Sequence, residues 1–212
     1  MSSLNPEKAY IFRITHTANL PWILEHGLHC PSSNTIDPDH HDIGNPELIQ
    51  KRANRPVPIP PSGTLSDYIP FYFTPYSPML YNIKTGYAGM KKLPMSDIVI
   101  LVSSLRILAA QSIPFVFTDR HAYLQTASFF PDLSHLDRIP WALLQARDFR
   151  RDPEHPEKME RYQAEALIHQ HLPVAALAGI VCYGPARQAG LQMELEKRGS
   201  TLKAVAKPNW YF

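Results

Sequence analysis

The chain has 212 residues, 44% of them hydrophobic, with 21 Lys and Arg against 19 Asp and Glu and a formal net charge of +2 with His neutral. That length and apolar content suffice for one substantial core and favour a single domain over residues 1–212. The near balance of charge excludes a binder of nucleic acid that works by total charge, so any attraction for phosphate rests on local basic patches. Apolar runs such as residues 98–102 and 174–181 are too short to span a bilayer, and Met1 to Asn5 lack a basic and apolar leader pattern. A cytoplasmic protein without membrane contact is expected. Cys30 and Cys182 stand far apart, which reads as two reduced thiols rather than a disulfide framework.

In chain order, alternation from Tyr10 to Ile14 predicts a strand over 9–15, after which Leu20, Ile23, Leu24 and Leu28 recur at helical spacing. Pro21 suits a first helical turn and Gly27 a left-handed stop, giving a helix over 20–27. His16 is thereby delivered to a strand-to-helix turn, where binding groups tend to sit; the plain alternative is a helix cap. A helix over 45–54 carries Lys51 and Arg52, with Arg55 just beyond its end, followed by a strand over 69–74 and a helix over 78–89. Next come a strand over 97–103, a helix over 104–111, a strand over 115–118 and a helix over 121–127 with Asp119 as a possible N-cap. A helix over 138–146, strands over 163–171 and 178–183, and a helix over 187–197 complete the pattern. Strands and helices mix without regular βαβ alternation, which predicts an α+β fold with a central mixed sheet and flanking helices. The 21 prolines gather in irregular stretches that are candidates for functional loops.

The most informative side chain is Glu165, a lone acid in the apolar run 163–168. Such a group is either satisfied by a neighbour or works on a ligand. Glu157 and Glu160 lie in proline- and charge-rich surroundings and read as solvated. Glu165, His169 and His171 fall at a period of two on one strand face. No G-x-G-x-x-G, Walker loop or H-E-x-x-H is present, and His26, His29, Cys30, His40 and His41 lack paired ligand spacing. No metal is expected. Basic groups cluster at Lys51, Arg52 and Arg55, at Lys91 and Lys92, and at Arg147, Arg150, Arg151, Lys158 and Arg161. With Tyr68, Tyr72, Tyr76, Phe149 and Tyr162 nearby they permit single-stranded nucleic acid, although a charge cluster alone is equally a solvated face.

Five segments occur in a telling order: Ile14-Thr15-His16 with Asn19-Leu20; Ile43-Gly44 through Arg52 to Pro56-Val57-Pro58; the Tyr/Phe/Pro block from Asp67 to Tyr81; Thr118-Asp119-Arg120-His121-Ala122; and Ala164-Glu165. Together they resemble the DarT family of DNA ADP-ribosyltransferase toxins over roughly residues 9 to 185. The resemblance implies an ADP-ribosyltransferase-like fold, NAD as co-substrate, a thymine of single-stranded DNA as acceptor and the macrodomain antitoxin DarG as partner. It also implies Glu165 and Arg52 as catalytic residues, with the register among Lys51, Arg52 and Arg55 open. His16, Thr15, Asn19, Tyr72, Ser77 and Tyr81 are the implied NAD contacts. Lys51, Arg55, Tyr76, Arg120, His121, Arg150 and Arg151 are expected on the DNA side. An NAD hydrolase, or a nucleic-acid-binding module without catalysis, is compatible with the same residues.

Overall fold

The computed structural model describes residues 4–212, so Met1 to Ser3, part of the leader reading, lie outside the described span. The first strand, β1 (Tyr10–His16), runs into a 3-10 turn and α1 (Leu20–His26), which stops at Gly27. Gly27 has φ 79°, and a Cβ there would lie 2.6 Å from both His171 Nε2 and the Leu172 carbonyl oxygen, so only glycine fits. After β2 (Leu28–His29), α2 (Pro46–Ala53) begins where the Asn45 side chain accepts the Leu48 N–H at 3.2 Å. None of the α2 side chains is buried, and Leu48 and Ile49 are exposed.

A loop leads to β3 (Tyr68–Tyr72) and then α3 (Pro78–Thr85), which Ser77 caps and Gly86, at φ 76°, terminates four residues short of the predicted end. Next follow β4 (Ile98–Ser104), α4 (Leu105–Ala110), β5 (Phe115–Thr118) and β6 (Phe129–Phe130). The chain continues through α5 (Trp141–Ala146), α6 (Lys158–Tyr162), β7 (Glu165–His169) and β8 (His171–Leu172). It closes with β9 (Gly179–Cys182), α7 (Pro185–Lys197) and β10 (Ala204–Ala206).

Eight strands form one sheet in the order β10-β9-β4-β1-β3-β7-β5-β6, antiparallel throughout except for the β9–β10 pair, while β2 and β8 pair separately. The result is the expected α+β fold with a central mixed sheet. Strand β4 is buried along nearly its whole length and pairs with β1 through seven positions, from Tyr10↔Ser104 to His16↔Ile98. A strand covered on both faces reads as a continuous apolar run, as Ile98 to Val102 does. Strand β1 meets its other neighbour, β3, at the single pair Phe12↔Tyr72.

Two apolar clusters fill the fold. The larger contains Ile11, Phe71, Ile100, Phe117 and Ile168; the smaller contains Val57, Leu65, Tyr68, Val116, Ala122 and Leu167. Val116 pairs with Leu167 and Tyr72 with Glu165, and partners directly opposite share a face. Glu165, Tyr72 and the smaller cluster therefore lie on the same side of the sheet. Burying Leu167 there contributes about 2 kcal/mol.

Three predicted elements differ. Residues 121–127 form consecutive turns rather than a helix, so Asp119 caps nothing helical; its Oδ1 accepts the Ser128 N–H at 3.0 Å and ties off the loop. Pro140 divides the predicted 138–146 helix into a 3-10 segment (Leu133–Arg138) and α5. Gln170, at φ 58°, breaks the predicted 163–171 strand, leaving His169 with Glu165 in β7 and sending His171 to pair with His29. The very short elements β2, β6, β8, β10 and α6 were not predicted, because two to five residues carry too little periodicity.

Candidate active site

Glu165 opens β7 and is only 2% exposed. Arg52, in the last turn of α2, meets it through two parallel hydrogen bonds: Nη1 donates to Oε1 at 2.9 Å and Nη2 to Oε2 at 2.7 Å. The Ala122 N–H donates to Oε1 at 3.0 Å, and the Glu165 N–H donates to Thr118 Oγ1 at 3.2 Å. Burial alone would push the Glu165 carboxyl up, but the Arg52 charge, His121 and the Ala122 N–H together hold it below the ordinary glutamate value. Burial likewise works against the Arg52 charge, and Glu165 reverses that, leaving Arg52 above its ordinary value. Across the ladder, burial and the Glu165 charge push the Tyr72 hydroxyl up to about 12, so it is a proton-bearing donor at neutral pH.

His121 Nδ1 lies 3.3 Å from Glu165 Oε1 and accepts the Tyr123 N–H at 3.2 Å. Burial, outweighing the pull of Glu165, lowers its pKa. His121 thus stands beside the carboxylate rather than on an outer basic face.

At the end of β1, His16 Nδ1 accepts the Ala18 N–H at 3.2 Å and its ring stacks on His41, centroids 4.9 Å apart and planes 11° from parallel. Burial, followed by His41, lowers its pKa, so the ring is neutral with its proton on Nε2. Asn19 is fully engaged: Nδ2 donates to Thr15 Oγ1 and to the His41 carbonyl, both at 3.0 Å, while Oδ1 accepts the His41 N–H at 2.8 Å. Thr15 and Asn19 therefore pin the 41–44 segment. A cleft of about 180 Å³ lies there, lined by His16, His41, Asp42, Ile43, Gly44, Met90, Lys91 and Leu93.

Other expected site residues are spoken for by the protein. Ser77 Oγ accepts the Leu80 N–H as the α3 cap. Tyr81 packs edge-on against Phe149 and Phe212. Tyr76, expected to stack on bases, is 4% exposed, with the Arg147 guanidinium 3.7 Å above its ring and its hydroxyl sealed without a partner. Lys51 is exposed and pairs with Glu47, whereas Arg55 donates to the Leu124 carbonyl at 3.2 Å. Arg120 sits 3.5 Å from Asp119 and 3.6 Å from Glu160, so Glu160 is a helical ion-pair partner rather than a freely solvated loop acid. Arg150 shares Asp148 with Lys158, and Arg151 is exposed.

Sequence reasoning missed Thr118 and the Ala122 N–H, which hold Glu165, because a backbone donor leaves no residue signature.

A family model described as "DarT: ssDNA thymidine ADP-ribosyltransferase, DarT" matches residues 12–212. The chain belongs to the DarT family. It is 54% identical over 211 residues to a DNA ADP-ribosyl transferase of Escherichia coli O127:H6 (strain E2348/69 / EPEC), covering 100% of this chain and 97% of that protein. A DNA ADP-ribosyl transferase of Thermus sp. (strain 2.9) is 39% identical over 186 residues, covering 86% and 85%. Among solved structures, Thermus sp. 2.9 DarT in complex with ADP-ribosylated ssDNA matches with TM-score 0.89 and 33% identity over 100% of both chains. The same DarT in complex with NAD+ matches with TM-score 0.83 and 34% identity, over 98% of this chain and 99% of that one. In this DarT chain no group of three or more His, Cys, Asp or Glu is placed to hold a metal, and no helix is long and apolar enough to cross a membrane, both among the described residues.

Proposed function

We propose that Glu165 and Arg52 are the working pair of an NAD-dependent transferase that moves ADP-ribose onto a thymine base of single-stranded DNA. The bidentate, buried Arg52–Glu165 pair with Tyr72 opposite is the observation that carries this reading, in a chain that belongs to the DarT family. Breaking the nicotinamide–ribose bond leaves an oxocarbenium-like centre, which a fixed carboxylate in a dry site stabilises. The bonding electrons leave with neutral nicotinamide. The thymine imide gives up its proton to solvent, the Arg52 charge stabilises the imide anion so formed, and that nitrogen then bonds to the ribose carbon.

His16 and the adjoining cleft take the adenosine half of NAD, with Thr15 and Asn19 as its wall, while Tyr72 faces the nicotinamide ribose. Ser77 and Tyr81 act by setting α3. Lys51, Arg120, His121, Arg150 and Arg151 guide the strand, with His121 nearest the base; Arg55 shapes the 121–128 loop. Residues 1–212 act as one domain, DarG is the protein partner, and the cytoplasm is the working compartment, a reading supported by two unpaired buried thiols.

Mass spectrometry of oligonucleotides incubated with protein and NAD is the test. Single strands containing thymine should gain one ADP-ribose. Labelling of thymine-free strands, or equal labelling of duplex and single strands, overturns the acceptor assignment, because the imide is occupied in a base pair and extruding a base costs a few kcal/mol.

A further inference from the structure

Arg13 and Arg52 are both half-buried arginines, but only Arg52 has a carboxylate. Arg13 reaches from β1 across the widening gap to β3, where Nη1 donates to the Pro70 carbonyl at 2.9 Å. No carboxylate among the described residues comes within 4.0 Å of Arg13, and its Nε is sealed from solvent with no acceptor. A cation taken out of water with one neutral acceptor is poorly compensated unless an anion arrives. Tyr72, Arg52 and Asp42 all act on its charge, and burial lowers its pKa to about 10, so it is charged at neutral pH.

Arg13 lies on the strand that joins two sites already described, since β1 meets Tyr72 at Phe12 and ends at His16. Asp42 lines the cleft beside His16, Tyr72 and Arg52 stand at Glu165, and His16 lies about 10 Å further along β1 from Arg13. In the proposed pose NAD runs from that cleft to Glu165, and the middle of NAD is its diphosphate. We infer that Arg13 is a substrate-binding residue that receives the diphosphate of NAD. This rests on the functional reading above and adds the group that reads the dinucleotide's charge. The planar guanidinium suits phosphate oxygens, and it has donors that the protein leaves without an acceptor.

The diphosphate is bound alike before and during bond cleavage, so its loss should raise KM and leave kcat largely intact. Arg13→Gln and Arg13→Lys are compared with wild type in NAD-dependent labelling of a thymine-containing oligonucleotide, with ADP-ribose and nicotinamide as competing inhibitors. Arg13→Gln is expected to raise KM for NAD and Ki for ADP-ribose by roughly thirtyfold, the scale of a charged hydrogen bond. Ki for nicotinamide, which carries no phosphate, should stay within about twofold. Arg13→Lys keeps a charge and should recover part of the lost affinity. Unchanged KM and ADP-ribose Ki in Arg13→Gln overturn the inference. So does a fall in kcat with a matching rise in nicotinamide Ki and a lowered Tm, which would make Arg13 a staple between β1 and β3. If Arg13→Gln does not fold, Arg13→Lys decides: KM and ADP-ribose Ki raised together with nicotinamide Ki unchanged support the inference, and both unchanged or all three raised overturn it. Absence of labelling by wild type defeats the transferase reading itself, a separate result.

Discussion

Strand β1 has two neighbours that it treats in opposite ways. Against β4 it zips through seven successive pairs, whereas against β3 it touches at Phe12↔Tyr72 alone. The zipped side rests on β4, whose run Ile98 to Leu101 is fully buried. On the parted side the Arg13 guanidinium reaches over to the Pro70 carbonyl, and Tyr72, with Glu165 and Arg52 beyond it, marks where the two strands separate. One edge of the strand supplies stability, and the other supplies room for polar chemistry.

The sharpest way to break that division is at Glu165. Glu165→Gln keeps the shape and removes the charge, so labelling should fall about a hundred- to thousandfold while NAD affinity by calorimetry stays within tenfold. A Gln variant of near-normal activity would sink the assignment of this edge as the reacting one. On the zipped side, Ile100→Ala should lower stability by about 2–5 kcal/mol in denaturant titration while leaving KM for NAD alone in the folded fraction. A KM change without a stability change would erase the distinction between the two edges.

Between these extremes, Asn19→Ala should free the segment that starts at His41 and raise KM for NAD about tenfold, since the amide's two hydrogen bonds to His41 are the tie. The pH dependence carries a definite sign. Glu165 has a folded pKa below its unfolded one, so its contribution to stability is complete above the ordinary glutamate value of about 4.3 and fades as pH falls through the folded value. Arg52→Gln removes the largest influence lowering that pKa, so its acid unfolding midpoint should sit at higher pH than wild type; an unchanged midpoint would mean the pair does not set the titration. The smallest effect is expected at Lys51→Ala, an exposed residue paired only with Glu47, with labelling within about twofold at moderate salt.

The contrast also explains what could be read in advance. The strand at 9–15, the block at 98–102 and Glu165 stood out because each is long or chemically out of place. Among Lys51, Arg52 and Arg55 the sequence offered three adjacent cations and no means to choose, since the choice depends on which helical face meets a strand 113 residues away. Tyr76 misled because an aromatic in a proline-rich loop looks the same whether it stacks on a base or lies under an arginine. The 121–127 segment misled for a related reason: its backbone hydrogen bonding goes partly to distant groups, with the His121 N–H on the Glu160 carbonyl and the Ala122 N–H on Glu165, where a helix would have kept it local.

Helix α2 carries Arg52 yet buries none of its own side chains. An eight-residue helix is marginal in water by itself, so the ion pair that arms the site also moors the helix. Ordering of α2 and formation of the Arg52–Glu165 pair are therefore coupled, and neutralising Glu165 removes one of the ties on that segment. The Arg52 cation is thus carried by an element whose order answers to the carboxylate's charge.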